Sequence, residues 1–394
     1  MQDLRARAAD SRAFRAALAS FWNYSSRVVG LGWTALLIGN LGIADYGQYA
    51  IAVAAAAIIN AAIDNAFYVR SLRVDEHRYE RERSARVMFG VGVAVVGVLC
   101  FQQWYIVGFA IIVAAGELLF NTFKSQYLRQ SRPDTAMRFD AVRQLTSIAL
   151  GAVAIMFAGA GLHAASWLYV APYLVVLLVC LRYIPGGKPA APGGLREFGM
   201  LSAEAFAAAI YSQGDLLVLG ALAGERVAGL YSVALVTGLA ISMIGQNFAN
   251  TYIDVLRAAK GHLSSAPPAK HLIRVALLTG GAMATIGIGI LIWGRADEVA
   301  IVMLIMSTWV FARSINHAFI VILFLQRRDG LRVRSTATAA AAKIALLFPA
   351  IHLLGAYGAA ITCVVCELTL LAWYRHAIYK SGAGSVPEEE VLRP

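Results

Sequence analysis

Twelve long apolar stretches constrain what this 394-residue chain can fold into. A helix that crosses about 30 Å of hydrocarbon needs about 20 mostly apolar residues. The stretches cover approximately residues 20–40, 47–69, 86–102, 104–123, 143–161, 164–182, 199–222, 227–253, 273–293, 298–325, 335–353 and 357–379. Hydrophobic residues make up 59% of the chain and charged residues 14%, against about 45–50% and about 25% in soluble domains. The sequence therefore predicts an all-α polytopic membrane protein and argues against a soluble enzyme.

The basic residues give the predicted topology. With the N-terminus in the cytoplasm, 29 of the 34 Lys and Arg residues lie at the termini or in cytoplasmic loops. The short outside loops hold only Arg226 and Arg295, and Arg27, Arg313 and Lys343 lie inside spans. Cytoplasmic loops of membrane proteins are enriched in Lys and Arg. We therefore predict 12 transmembrane helices with both termini cytoplasmic, and we interpret the net charge of +11 as a topology signal rather than a nucleic-acid signal.

A Pro- and Gly-rich stretch at 183–196 divides the predicted spans into two sets of six. We interpret it as a cytoplasmic linker between an N-lobe at 20–182 and a C-lobe at 197–380. A short internal repeat supports two matched lobes: Ile38-Gly-Asn-Leu41 precedes Gly47-Gln-Tyr49, and Leu219-Gly-Ala-Leu222 precedes Gly229-Leu-Tyr231. Both copies predict a span end, a tight outside turn and the start of the next helix.

The two ends of the chain are predicted to lie outside the lobes. Residues 1–19 are a basic amphipathic helix on the anionic inner leaflet or, equally, a solvated basic arm. Residues 381–394 are predicted to be a disordered tail.

Polar residues inside spans are the candidate functional residues, since charges there are costly and usually face a cavity. The charged ones are Arg27, Asp64, Glu117, Glu204, Asp215, Arg313, Lys343 and Glu367. Helical spacing joins Asn23 to Arg27, Asn60 to Asp64, Gln246 to Asn250, and Arg313 to Asn316 and His317. The predicted site that binds a diphosphate and a sugar in a central cavity comprises Arg27, Arg313, Lys343, Asn23, Asn60, Asp64, Gln213, Asp215, Gln246, Asn247, Asn250, Asn316 and His317.

Structural roles are open for several of these residues. Glu117 and Glu367 are expected to join helices, and Asp215 either pairs with an arginine or contacts substrate. Lys343 either faces the cavity or extends its ammonium group toward the membrane interface. His317 is either a proton relay or a core histidine whose hydrogen bonds are satisfied within the fold. The amides are equally compatible with helix packing.

The segment Gln213-Gly-Asp-Leu-Leu-Val-Leu-Gly-Ala-Leu-Ala-Gly-Glu-Arg-Val-Ala-Gly-Leu-Tyr-Ser-Val-Ala234 resembles the signature of Wzx-type polysaccharide flippases, and Leu41-Gly-Ile-Ala-Asp-Tyr-Gly-Gln-Tyr-Ala50 resembles the family's opening turn. These proteins belong to the multidrug/oligosaccharidyl-lipid/polysaccharide (MOP) exporter superfamily. The resemblance implies two six-helix lobes in a MATE-like V shape around a central cavity. It also implies that alternating access moves a polyprenyl-diphosphate-linked oligosaccharide from the inner to the outer leaflet.

The same reasoning sets the expected partners. We expect the lipid-linked oligosaccharide, anionic membrane lipids and polysaccharide biosynthesis enzymes, but no nucleic acid, cofactor or metal. No Gly-x-x-x-x-Gly-Lys-Ser/Thr nucleotide-binding loop occurs in the sequence, which argues against direct ATP drive. The excess of arginine over lysine suggests a GC-rich bacterium and hence a cytoplasmic-membrane location.

Alternative functions differ in what they require. A cation-coupled multidrug exporter of the same superfamily needs an acidic cavity, which the two arginines within spans oppose. A membrane glycosyltransferase or polymerase needs catalytic acids on a sizeable outside loop, and these loops span only a few residues each. A non-transporting scaffold would have every buried charge paired within the fold.

Overall fold

The computed structural model describes residues 2–130, 132–184, 188–259, 261–294 and 296–381, without the side chains of 2–17, 19, 20, 23, 380 and 381. Helices dominate these described ranges, together with one 3₁₀ turn at Leu263–Ser265. The helices are α1 Gln2–Leu41, α2 Ile43–Ser71, α3 Glu76–Phe101, α4 Tyr105–Arg129, α5 Pro133–Ala158, α6 Leu162–Leu181, α7 Leu195–Ala223, α8 Glu225–Asn250, α9 Ile253–Ala258, α10 Ala269–Trp293, α11 Asp297–Leu325 and α12 Asp329–Ser381.

The helices account for every predicted span after the first. Within the described ranges, ten helices are long and apolar enough to cross a membrane: α2 to α8, α10, α11 and α12. The α12 helix has 53 residues and is broken at Gly355, where φ is 55° and ψ is −128°. Its arms at 329–354 and 356–381 are each about 38 Å long at 1.5 Å per residue, so they carry the last two predicted spans. The first predicted span lies on α1, which is not among those ten helices, and it stays a prediction. The chain is a multi-pass membrane protein.

The termini fall only partly within the described structure. Backbone helix runs without a break from Gln2 to Leu41, so the predicted amphipathic segment and the first span form one helix. The facing of side chains 2–17 and the predicted tail beyond residue 381 lie outside the described residues. The side of the membrane on which the termini lie stays a prediction.

Single glycines form the turns before α2 and α8, and they correct the register of the internal repeat. Gly42 has φ 91° and ψ 170°, and Gly224 has φ 84° and ψ 172°. Only glycine adopts a positive φ with an extended ψ at little cost. These turns lie five residues before Gly47 and Gly229, respectively. Pairing Gly42 with Gly224 therefore removes the one-residue spacing difference that the sequence motifs show.

The two repeat copies meet face to face at Gly47 and Gly229. A Cβ atom at Gly47 would lie 1.8 Å from the carbonyl oxygen of Glu225, and a Cβ at Gly229 would lie 2.4 Å from that of Ile43. Each glycine thus faces the carbonyl four residues before the other, so the contact is reciprocal. Backbones approach this closely only where neither residue has a side chain.

Contacts divide the chain between Gly229 and Leu230 into two compact units. In the first unit, α2 packs against α1, α4 and α7, α4 packs against α3 and α6, and α5 packs against α1 and α6. The α7 helix belongs to this unit because its Gly220 lies against Ile51 and its Leu201 carbonyl accepts a 2.8 Å hydrogen bond from Asn65. In the second unit, α10 and α12 pack on either side of α11. The predicted division into six-helix lobes at 183–196 stays a prediction.

The described linker residues run along the start of α3. Asp75 caps this helix by accepting a 2.9 Å hydrogen bond from the Arg78 amide, which lowers the pKa of Asp75. The Arg81 guanidinium donates to the Lys188 carbonyl at 2.9 Å, and the Ala190 amide donates to the Arg81 carbonyl at 3.2 Å. These described linker residues therefore contact the basic end of α3.

Candidate functional site: buried charges in the helix bundle

Asp64 of α2, Arg86 of α3 and Asn121 of α4 form the α2–α3–α4 cluster. The Arg86 guanidinium forms an ion pair with one Asp64 carboxylate oxygen. Asn121 Nδ2 donates to the other oxygen at 2.9 Å. Arg86 is 2% exposed and Asp64 8%, and the ring of Phe67 lies 5.7 Å from the guanidinium carbon. The cluster joins three helices by a carboxylate whose two oxygens are both engaged.

Glu117 of α4, Arg143 and Asp140 of α5, and Tyr173 of α6 form the α4–α5–α6 cluster. Arg143 contacts Glu117 and Asp140 at 3.0 Å each and donates to the Tyr173 hydroxyl at 2.7 Å. The Tyr173 hydroxyl donates in turn to Glu117 at 2.7 Å. Lys124 lies 3.6 Å from Asp140. These contacts agree with the interpretation of Glu117 as a residue that joins helices.

Arg313 and Asn316 of α11 meet Glu367 of α12 and form the α11–α12 cluster. Arg313 lies 3.5 Å from one Glu367 oxygen, and Asn316 donates to the other at 2.8 Å. The guanidinium carbon lies 5.1 Å from the Trp309 ring centroid. The Arg313 side chain is 18% exposed and its Nε is buried without a hydrogen-bond partner. Arg313 therefore has one N–H group without an acceptor, and part of its side chain is exposed.

The structure does not gather the predicted site residues into one described cluster. Arg27 is exposed on α1 and Lys343 is buried on α12. Asp215 is fully buried, and its carboxylate accepts a 3.2 Å hydrogen bond from the Leu216 amide. Asn60 is partly buried, with an oxygen that has no hydrogen-bond partner.

The remaining predicted residues lie on three helices and at one undescribed position. Asn23 has no described side chain. Partly buried positions are Gln213, Asn247 and His317, and exposed positions are Gln246 and Asn250. Among the described residues, no group of three or more His, Cys, Asp or Glu is placed to hold a metal ion.

Of the arginines that sequence reasoning placed in cytoplasmic segments, Arg86 is buried and Arg143 is partly buried. Arg86 and Arg143 each lie at the predicted start of a span, and the structure places both within helix interfaces. Each retains an Nε atom that is buried and has no hydrogen-bond partner. An arginine at a predicted span boundary, together with a carboxylate inside a neighbouring span, is the signal that could have identified both pairs.

Comparisons with known proteins support the fold. No family model and no curated protein matches the sequence. Among solved structures, the chain resembles "Lipid II flippase MurJ, inward closed conformation", with a TM-score of 0.69 and 11% identity over 92% of this chain and 87% of that one. A second similar structure is the MATE multidrug transporter DinF-BH, with a TM-score of 0.59 and 13% identity over 94% of each chain.

A third similar structure is an inward-facing multidrug resistance MATE family transporter of the MOP superfamily. Its TM-score is 0.55 at 13% identity, over 93% of this chain and 96% of that chain. The TM-scores support a shared fold, and identities this low leave the cargo open. The chain has the fold of the MurJ and MATE transporters of the MOP superfamily.

Proposed function

We propose that this protein is a flippase, not an enzyme, that moves a polyprenyl-diphosphate-linked oligosaccharide from the inner to the outer leaflet of a bacterial cytoplasmic membrane. The observation that carries the proposal is the similarity to the lipid II flippase MurJ, whose TM-score exceeds those of the two multidrug transporters reported above. The motif resemblance at 213–234 supports the same class of cargo. Both lead to a lipid-linked sugar as cargo.

The chemistry of the α11–α12 cluster fits a diphosphate. Arginine binds phosphate through a planar fork of donors, and charge-assisted hydrogen bonds of this kind are about twice as strong as neutral ones. Arg313 is held by Glu367 at 3.5 Å, a long contact that a phosphate oxygen can replace. Trp309 supports the guanidinium from one side, so the side chain stays in position when its partner changes.

Alternating access would carry the sugar through the polar interior while the polyprenyl chain remains among the lipids. Arg27 on α1 and Lys343 on α12 supply further positive charge for the diphosphate. The amides at Asn60, Gln213 and Asn247 can pair with sugar hydroxyls. Enzymes that assemble the oligosaccharide would supply the cargo on the inner leaflet.

The proposal is tested by reconstituting the full chain into vesicles that contain an undecaprenyl-diphosphate-linked disaccharide with a fluorescent sugar. External dithionite bleaches only the outer leaflet, so active protein raises the bleached fraction above one half. We expect Arg313→Ala to slow translocation about tenfold, because one charge-assisted hydrogen bond to the diphosphate is lost. Arg27→Ala should also slow it.

Arg375→Ala is the matched control, because Arg375 is an exposed arginine on α12. It should translocate at the parent rate. Equal rates for Arg27→Ala, Arg313→Ala and the parent, at equal protein levels, would contradict the role of these arginines. Bleaching of only one half of the fluorescence by the parent would contradict the flippase proposal itself.

The second candidate is a cation-coupled multidrug exporter, which the two MATE structures favour. That cargo calls for unpaired acids, whereas Asp64, Glu117 and Glu367 each contact an arginine. Expression in a host that lacks its own drug pumps separates the two functions, since an exporter raises drug resistance and a sugar-lipid flippase does not.

A further inference from the structure

A cleft that shares Arg86 and Phe67 with the α2–α3–α4 cluster lies between one end of α2, α3 and α4. Phe67 and Ser71 line it from α2 and Ser125 from α4. From α3 it is lined by Tyr79, Glu82, Arg83 and Arg86. The space between these side chains is about 210 Å³ and includes open solvent. These residues lie where α2 and α4 end and α3 begins, at one end of the first unit.

Two guanidinium groups in this cleft have unused donors. The Nε atoms of Arg83 and Arg86 are both buried and neither has a hydrogen-bond partner. Burying an N–H group without a partner is costly, the more so when the group carries charge. An acceptor that carries negative charge and enters the cleft can pair with these donors.

The hydroxyl groups around the cleft are already engaged. The Tyr79 hydroxyl and Ser125 Oγ lie 2.8 Å apart, and Ser125 donates to the Thr122 carbonyl at 2.8 Å. Ser71 donates to the Tyr68 carbonyl at 2.7 Å. The unused donors are therefore those of the arginines.

Four arginines around the cleft have carboxylate partners. Arg70 pairs with Glu82 and Glu197, Arg78 shares Glu82, Arg129 pairs with Glu76, and Arg86 pairs with Asp64.

Arg83, which lines the cleft, differs from these four. Its guanidinium contacts two rings instead, at 4.0 Å from the Tyr183 centroid and 5.0 Å from the Tyr79 centroid. Arg83 can therefore take an anionic partner without giving up a carboxylate contact.

We propose that this cleft binds the phosphate group of an anionic phospholipid, held by Arg83 and Arg86. A phosphodiester carries one negative charge and presents oxygens that match an arginine fork. Basic pockets between transmembrane helices at the cytoplasmic side recognise anionic lipid headgroups. Further along α3, Met88 and Phe89 are about half exposed, as side chains that face acyl chains are.

The test uses the full chain purified in a neutral detergent and given a mixture of phosphatidylglycerol and phosphatidylcholine. Native mass spectrometry then measures which lipid is retained. We expect the parent to retain phosphatidylglycerol preferentially and Arg83→Gln to retain it about tenfold less, because one charged hydrogen-bond donor is lost. Arg182→Gln is the matched control, since Arg182 is exposed and contacts the same Tyr183 ring from outside the cleft. It should retain the lipid as the parent does.

A second arm separates a lipid headgroup from free phosphate. Inorganic phosphate added to the delipidated parent should raise its Tm, and Arg83→Gln should abolish the rise. A rise with free phosphate and no retained phosphatidylglycerol would overturn the lipid as the source. If the parent responds to neither probe, or if Arg182→Gln loses binding equally, the site itself is overturned. The two measurements on the parent protein, lipid retention and the Tm shift with phosphate, need no variant. They therefore test the site even if Arg83→Gln fails to fold.

Discussion

Replacing Gly47 by alanine tests the reciprocal glycine contact between the two repeat copies. The added Cβ would lie 1.8 Å from the Glu225 carbonyl oxygen and 2.6 Å from its carbon. Real Cβ contacts are essentially never shorter than 3.0 Å, so the helices must separate by roughly 1.2 Å. The obstacle is backbone, which cannot rotate away as a side chain can.

The expected cost follows from opposing effects. Overpacking costs about 1–3 kcal/mol, or more against a rigid neighbour. Replacing glycine by alanine within a helix stabilises the folded state by about 0.5–1 kcal/mol. We therefore expect a net loss of about 2 kcal/mol and a Tm lower by about 5 °C, from the usual 2–4 °C per kcal/mol in domains of about 200 residues.

Thermal unfolding in detergent measures the effect, and the chain offers two comparisons. Gly229→Ala should cost less than Gly47→Ala, because its Cβ would lie 2.4 Å from the Ile43 oxygen. Gly39→Ala should leave Tm unchanged or slightly higher, since nothing lies within 4 Å of its Cβ. Combining the Gly47 and Gly229 changes should cost less than their sum, because the first already separates the helices. A Gly47→Ala protein as stable as Gly39→Ala would refute the contact.

The buried ion pairs give the remaining stability predictions. Asp64→Asn and Arg86→Gln should each destabilise by about 3–5 kcal/mol, because each leaves a buried charge without its partner. The double variant should cost less than their sum in a double-mutant cycle of Tm values, and simple additivity would argue against the pair. Glu367→Gln should cost less than Asp64→Asn, since Arg313 is partly exposed and Asn316 still has an oxygen acceptor. A larger loss at Glu367 would contradict that ranking.

The spans were predictable because hydrophobic length is a local property. The non-helical backbone at Gly355 separates the last two spans, as predicted. Helix ends were less predictable: α3 begins at Glu76, ten residues before the apolar stretch, because its charged turns continue the helix. The packing of the helices within each unit depends on contacts between distant residues, which the pattern of apolar stretches does not predict.

The buried charges were predictable in part. Spacing placed Arg313 and Asn316 on one helix face, and both contact Glu367. The partner itself lies about 50 residues away, and Asp64 reaches Arg86 across a turn. Such pairs depend on how helices pack, which spacing within one helix does not encode. Arg143 was missed for the same reason.

The most direct test of the central claim compares two cargoes in the same vesicles. Proteoliposomes of the parent chain are supplied either with the fluorescent undecaprenyl-diphosphate-linked disaccharide or with a cationic rhodamine dye. We predict that the lipid-linked sugar becomes accessible to external dithionite beyond the outer-leaflet half, and that the dye distributes as in protein-free vesicles. Transport of the dye without movement of the lipid-linked sugar would contradict the account and identify a drug exporter instead.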